Sequence, residues 1–341
     1  MKSLFRASTP DDIARLTALF AEAFDCPPDS SLFNPALMAW KYWDHREDWT
    51  EPRSYVLEKG GRIIAHAGLW PAKFGDGQSA LRGVQMIDWA AAKDSPGAGL
   101  TLVQKFARMF DFIYSIGGSE ATRQVLPAFG FVELTRAWTA ARPLRPFRQI
   151  LSHQHVNWKL GPRLVRNWSW SNSPARRASF GWKVAPMKPA DISAATNASW
   201  FCPRNAGFFE YFMRCPVVKN RLYGIINESG PQGHFALGTL RGQARLSALS
   251  LRNADAESLC NAYTLAQQTA LGLPDAYEIA ASGTVGIGGD AAVEAGLRMI
   301  HTAPVYFLSP NGKFAFPENF QFQLSDDDAA FLDTGAASFY T

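Results

Sequence analysis

The chain has 341 residues, 47% hydrophobic and 13% aromatic, with a formal charge of +4, enough apolar material for a large core and a length that suits two domains. Its four cysteines, Cys26, Cys202, Cys215 and Cys260, show no CxxC or Cys/His spacing, so no metal site is expected and a reducing compartment is the simplest reading. No apolar run approaches the roughly 20 residues of a membrane span, and a cytoplasmic protein is expected.

Residues 3–6 read as a short strand, and Thr9-Pro10-Asp11-Asp12 as a helix start with cap, proline and acidic first turn in order. Ile13, Leu16, Leu19, Phe20 and Phe24 then recur at helical spacing. An aromatic segment with Met38, Trp40 and Tyr42 predicts a further helix. Residues 55–58 and 63–68, joined through Gly60-Gly61, read as a β-hairpin, followed by a turn at Gly75-Asp76-Gly77.

The stretch 83–131 comes next. An apolar run, residues 84–92, turns through Asp94-Ser95-Pro96-Gly97-Ala98-Gly99 into a helix pattern of Leu102, Val103, Phe106, Met109 and Phe110. A strand, a glycine turn and a helix in that order leave backbone N–H groups free at the helix start, which suits an anion. The expected ligand is a phosphate-bearing cofactor lying across this strand and the next one, residues 112–116.

Residues 138–141 are expected to close the first unit as its last strand, and the Pro/Arg-rich 142–146 to mark a boundary. From Glu133 to Asp191 no acidic residue intervenes, while arginines and lysines from Arg136 to Lys188 alternate with Phe147, Trp158, Trp168, Trp170 and Trp182. Such a segment, 136–188, fits peripheral association with an anionic membrane or polymer; the competing reading is a solvated connector whose aromatics pack on the two domains. No nucleic-acid-binding motif accompanies it, and no nucleic-acid partner is expected. An amphipathic helix over 150–165 is expected to be interrupted at Gly161-Pro162.

The order of elements then repeats. Residues 183–184 are a strand, Pro189-Ala190-Asp191-Ile192 opens a helix as Pro10-Asp11-Asp12-Ile13 does, and residues 208–213 parallel 33–43. Three strands follow (221–226, 234–240, 244–251), then a helix over 257–271, a strand at 276–280, a helix over 290–297 and a strand at 305–308. Where the first unit has Pro96-Gly97-Ala98-Gly99, the second has Arg252-Asn253-Ala254-Asp255-Ala256-Glu257, whose carboxylates repel a pyrophosphate. A glycine-rich run over 283–289 lies after a later strand and reads equally as a loop.

These segments together resemble the GNAT acyltransferases, the Gcn5-related N-acetyltransferases. The match lies in the turn Pro96-Gly97-Ala98-Gly99-Leu100-Thr101, in Gly130-Phe131, and in the strand and capped-helix opening. Pro96 replaces the family's basic or amide residue, and Leu126 falls where the family often has a tyrosine acid. The resemblance implies an α/β (α+β) fold of two tandem GNAT-like units, each with a mixed, mostly antiparallel central sheet flanked by helices. The expected division is 1–141, a basic connector 142–180, and a degenerate second unit 181–341. It also resembles GNAT-type proteins of bacterial exopolysaccharide clusters in Trp40-Lys41-Tyr42-Trp43 and residues 61–66.

The resemblance implies acetyl-CoA or another acyl-CoA as cofactor. Backbone amides along Ile87, Trp89 and Ala91 would meet the pantetheine, and Gly97, Ala98, Gly99, Leu100 and Thr101 the pyrophosphate. The candidate general base is Asp88, whose carboxyl is expected to be raised by desolvation beside Trp89. Glu120 and His66 are further candidates, His66 reading equally as a satisfied core histidine. Ser119, Ser115 and Tyr114 could touch the thiol or replace the missing tyrosine. The activity implied is acyl transfer from acyl-CoA to a small-molecule amine or hydroxyl acceptor such as an amino sugar, amino acid or envelope precursor. The alternatives are a Fem-like aminoacyl transferase using charged tRNA, with the basic connector on its phosphates, and a non-catalytic GNAT-fold protein of a polysaccharide system.

Overall fold

The computed structural model describes residues 3–75, 80–152, 158, 160–173, 178–192, 202, 204–284, 286–309, 321–333, 335 and 339–341. The expected turn at Asp76-Gly77 lies outside them. Twelve strands form one sheet, in the order β1-β2-β3-β4-β5-β12-β6-β11-β10-β9-β8-β7. The first half supplies β1 (Leu4–Ala7), β2 (Ser54–Lys59), β3 (Arg62–Gly75), β4 (Ala80–Ala91), β5 (Phe112–Ile116) and β6 (Val132–Pro143). The second supplies β7 (Lys183–Pro186), β8 (Lys219–Asn227), β9 (Gly230–Leu240), β10 (Gln243–Leu251), β11 (Glu278–Thr284) and β12 (Arg298–Leu308). Among the described residues only β4 with β5 and β10 with β11 run parallel.

This order is a duplication with one exchange. The strand expected to finish the first unit, β6, pairs with β11 and β12, and β12 takes the free edge of β5, with Val305 opposite Ile116 and Leu308 opposite Ile113. The expected boundary at residue 141 falls inside β6. Strand propensity marks both segments as strands, but either can pair with either edge, so the partner is fixed only in three dimensions.

Helices cover both faces, as the alternation of side chains along each strand requires. On one face of the first half lies α1 (Ile13–Phe24), which buries Leu16, Leu19 and Phe20 against Val56 and Ile63. Its entry turn is tied by the Thr9 N–H, which donates to Asp12 Oδ2 at 2.9 Å. On the other face α3 (Ala98–Phe106) buries Leu102, Val103 and Phe106 against Leu57, Ile64 and Met86. A short helix, α4 (Glu120–Val125), follows β5. In the second half α8 (Ala256–Gly272) and α9 (Ile287–Glu294) share a core with β9 to β11.

The halves meet through equivalent helices, α2 (Pro35–Tyr42) and α7 (Ala206–Met213). Trp40 stacks on Tyr211 with ring centres 4.8 Å apart and planes 7° apart. The bonds are reciprocal: Trp40 Nε1 donates to the Tyr211 carbonyl at 3.1 Å, and Tyr211 Oη donates to the Trp40 carbonyl at 2.6 Å. Trp70, Ile87, Phe208, Phe212 and Phe331 complete this shared core.

Among its described residues the basic segment carries two helices. It forms α5 (Pro146–Leu151) and α6 (Leu160–Ser171) against the sheet. Gly161-Pro162 does not interrupt a helix as expected but lies in the first turn of α6, where the missing proline N–H costs nothing. Arg142 donates to the carbonyls of Gly296, Trp170 and Ser173, Arg148 to Pro274, and Arg145 to Leu271, Leu273 and Ala276.

Because β5 and β11 depend on strands supplied by the opposite half, residues 1–145 and 146–341 expressed separately should each fail to give a cooperative thermal transition. Co-expressed, they should co-purify and unfold in one transition, as judged by circular dichroism.

Candidate functional site

The two parallel pairs diverge. β4 and β5 stay in register only from Gly83 opposite Phe112 to Gln85 opposite Tyr114, and beyond that β4 continues from Met86 to Ala91 without β5. On its other edge β4 bulges. Its register with β3 jumps from Gly68 opposite Ile87 to His66 opposite Ala90, leaving Asp88 and Trp89 unmatched, and Asp88 has φ +49°. The result is an opening in the sheet with a kinked strand on one side.

The glycine turn sits at the end of that strand. Gly97 caps α3 with φ +82°, a conformation that favours glycine, and nothing lies within 4 Å of where its Cβ would be. Gly99 has a different task. A Cβ there would lie 2.9 Å from Trp89 Nε1, and that nitrogen donates to the Gly99 carbonyl at 3.2 Å. Ala98 N–H is used by Ser95 and Thr101 N–H by Gly97, whereas among the described residues the amides of Gly97, Gly99 and Leu100 have no backbone acceptor. Free amides at a helix start beside an open strand edge fit a pyrophosphate with an extended tail. Asp94, beside the turn, is neutralised by Arg62 at 2.5 Å.

Asp88 is half-buried among partners that the sequence did not reveal. Its Oδ2 accepts from Lys41 Nζ and from Tyr42 Oη, both at 2.5 Å. Burial alone would push this carboxyl up, but Lys41 and Tyr42 outweigh it and hold Asp88 below the usual carboxylate range, the reverse of the shift expected beside Trp89. An ion-paired carboxylate of lowered pKa is a poor proton acceptor, so Asp88 is better suited to holding the bulge than to general-base work. His66 completes the support: Nδ1 donates to the Asp88 carbonyl at 3.0 Å and Nε2 accepts from Ser54 Oγ at 2.9 Å. Fully buried, His66 is pushed down to about 4 and stays neutral, the satisfied core histidine of the two readings.

The remaining candidates lie elsewhere. Ser119 caps α4, accepting from Thr122 N–H at 3.1 Å, and Glu120 is exposed in its first turn, bonded to Gln124 at 3.4 Å. Tyr114 is buried among Phe74, Phe112, Phe307 and Phe322 and donates to the Asp326 carbonyl at 2.7 Å, so it cannot replace the missing acid. Leu126, at the usual tyrosine position, is fully buried. Ser115 is buried in β5, opposite Tyr306 of β12.

What the sequence missed is the C-terminal segment. Asp327 Oδ1 accepts from Gln85 Nε2 at 3.0 Å, so the segment reaches β4 three residues before Asp88. Asp328 hydrogen-bonds Asp327, and burial together with that neighbour pushes the Asp328 carboxyl well up, with Asp88 also acting on it. In the second half the same segment closes the equivalent opening. There β10 and β11 part after Leu246 and Ala281, and Gln323 bridges to Gly283 while its Oε1 accepts from Leu249 N–H at 2.9 Å. The start of α8 is likewise occupied, since Asp255 Oδ1 accepts from Ser258 N–H at 2.8 Å.

No protein-family model and no curated protein matches the sequence. Solved structures do match in shape. Saccharomyces cerevisiae N-myristoyltransferase with bound myristoyl-CoA aligns with a TM-score of 0.59 at 12% identity, over 90% of this chain and 78% of that one. A GCN5-related N-acetyltransferase from Anabaena variabilis gives 0.58 at 10% identity, over 91% and 73%. A tandem GNAT protein from the clavulanic acid biosynthesis pathway gives 0.54 at 10% identity, over 92% of this chain and 100% of that one. The fold is therefore that of the GNAT proteins, in a two-unit arrangement.

Two outcomes test the support of the bulge. His66 has a folded pKa of about 4 against 6.5 unfolded, so its contribution is fully present above about pH 6.5 and is lost as pH falls towards 4. Urea unfolding at pH 4.5 and pH 7.5 should show a loss to which His66 adds about 2.5 kcal/mol, and His66→Gln should remove that share. Lys41→Met should leave Asp88 stranded and cost about 3 kcal/mol, with Asp88→Asn added to Lys41→Met restoring part of it.

Proposed function

We propose that this chain is an acyl-CoA-dependent acyltransferase whose donor site is the opening between β4 and β5. The observation that carries the reading is the contrast between the halves. The first keeps a glycine turn, free helix-start amides and an unpaired strand edge, whereas Gln323 and Asp255 occupy the corresponding places in the second. Similarity in fold to N-myristoyltransferase and to N-acetyltransferases supports it. Within the turn Gly97, Ala98, Gly99, Leu100 and Thr101, the amides of Gly97, Gly99 and Leu100 would hold the pyrophosphate, and the edge Ile87, Asp88, Trp89 and Ala91 the pantetheine. Bound there, acyl-CoA would supply an activated acyl group as its thioester.

The acceptor is proposed to be a small amine or hydroxyl compound, such as an amino sugar, amino acid or envelope precursor, met in the cytoplasm. Asp88 is spent on Lys41, so the carboxyl groups left to meet an ammonium are those of Asp327 and Asp328. Asp328, raised by burial and by Asp327, is the carboxyl better suited to exchange a proton with the acceptor. Asp88 positions the bulge. The aminoacyl-tRNA reading loses support because Arg142, Arg145 and Arg163, needed for phosphate contacts, donate to carbonyls of the protein itself.

Titration calorimetry with acetyl-CoA and with longer acyl-CoAs tests the donor site. Binding of one equivalent is expected, with loss of at least tenfold in Gly97→Glu, which adds charge and strain at a left-handed position. No binding, or binding unchanged by that substitution, contradicts the proposal. Asp328→Asn should lower the rate of thiol release about 100-fold without changing acyl-CoA affinity.

A further inference from the structure

The helix pair α5–α6 buries polar side chains beside Pro146, Leu160 and Trp170 and exposes large apolar ones. Towards the sheet it buries polar side chains: Gln149 and Asn167 are fully buried, Asn167 Nδ2 donates to Gln149 Oε1 at 2.9 Å, and Gln149 Nε2 donates to Glu278 Oε2 at 3.2 Å. Towards solvent it presents Phe147 (59% exposed), Leu151 (84%), Trp158 (81%), Val165 (66%) and Trp168 (53%). Phe147 and Leu151 are four residues apart on α5, and Val165 and Trp168 three apart on α6, so each pair shares a helical face. Scattered exposed apolar residues are ordinary, but four large ones on one pair of helices, with Trp158 two residues before α6, are not. The pair is fixed in place by the bonds of Arg142, Arg145 and Arg148 to backbone carbonyls.

We infer that this face docks on an anionic lipid bilayer surface. Tryptophan, phenylalanine and leucine beside arginine are the side chains that partition into the headgroup region, with apolar parts inserted and cations at the phosphates. Arg148 and Arg166 are exposed on the same two helices. The sequence from Glu133 to Asp191 contains no intervening carboxylate, so nothing on this segment repels an anionic surface. A second copy of the chain is the poorer occupant, because it would bring the same arginines against these without a carboxylate to pair with. The membrane contact is independent of the acyl-CoA reading and stands or falls separately.

Flotation of the full chain with vesicles tests it, using phosphatidylcholine alone and phosphatidylcholine with 30 mol%, about a third, phosphatidylglycerol. The bound fraction is expected to be at least fivefold higher on the anionic vesicles. It should fall at least tenfold in a Leu151→Ser, Trp158→Ser, Trp168→Ser triple variant whose thermal unfolding is unchanged, as exposed substitutions allow. A single Arg166→Glu substitution should weaken binding in the same direction and gives a second reading should the triple variant fold poorly. Absence of vesicle binding overturns the inference, as does binding indifferent to these substitutions. A concentration-dependent dimer in sedimentation that disappears in the triple variant, without vesicle association, reassigns the face to self-association and also overturns it.

Discussion

A half-sheet that ends on a short parallel strand leaves that strand's outer N–H and C=O groups without partners, and buried backbone groups cannot stay that way. β5 has only five residues, and it is covered on its open side by β12, a strand from the far end of the chain. β11 is covered reciprocally by β6, and β6 and β12 then pair with each other from Arg298 opposite Ala141 to Phe307 opposite Val132. This exchange makes one sheet of two units and sets the relation between their openings. The mutual Trp40 and Tyr211 bonds repeat the same reciprocity in the layer of helices above.

Continuity across the sheet also explains why the two openings have different fates. After β12 the chain reaches the second opening, where Gln323 bridges to Gly283 and accepts from Leu249. It then crosses to the first half, where Ser325 accepts from Trp70 Nε1 at 2.8 Å, and Asp327 meets Gln85. One segment therefore closes one half and adds carboxylates to the other. In a duplicated fold this leaves one copy with an open edge and a glycine turn, while the other supplies the strand, the helix α7 and the tail that meet it.

Much of this was legible in the sequence, and the limits are physical. The duplication, the glycine turn and most helices and strands are local, since periodicity, caps and glycines act within a few residues. The exchange of β6 and β12 was not legible, because strand-forming residues do not name their partner. Asp88 was found as a polar residue in an apolar strand, but the sign of its pKa shift depends on Lys41, 47 residues earlier, which reads locally as a helix-surface lysine. Nothing local to Asp326-Asp327-Asp328 names its partner, and only the fold places Asp327 against Gln85 of β4. The sequence marks Gly99 as a phosphate-binding glycine, whereas its packing against Trp89 is a separate reason for a residue without a side chain.

We propose that one of the two openings accepts an acyl-CoA, and the other is closed by the chain itself. Hydrogen–deuterium exchange with and without saturating acetyl-CoA tests this directly. The account predicts slowed exchange at the amides of residues 86–91 and 97–101, with residues 247–258 and 281–284 unchanged. Slowing confined to residues 247–258 and 281–284, or equal in both places, would contradict it.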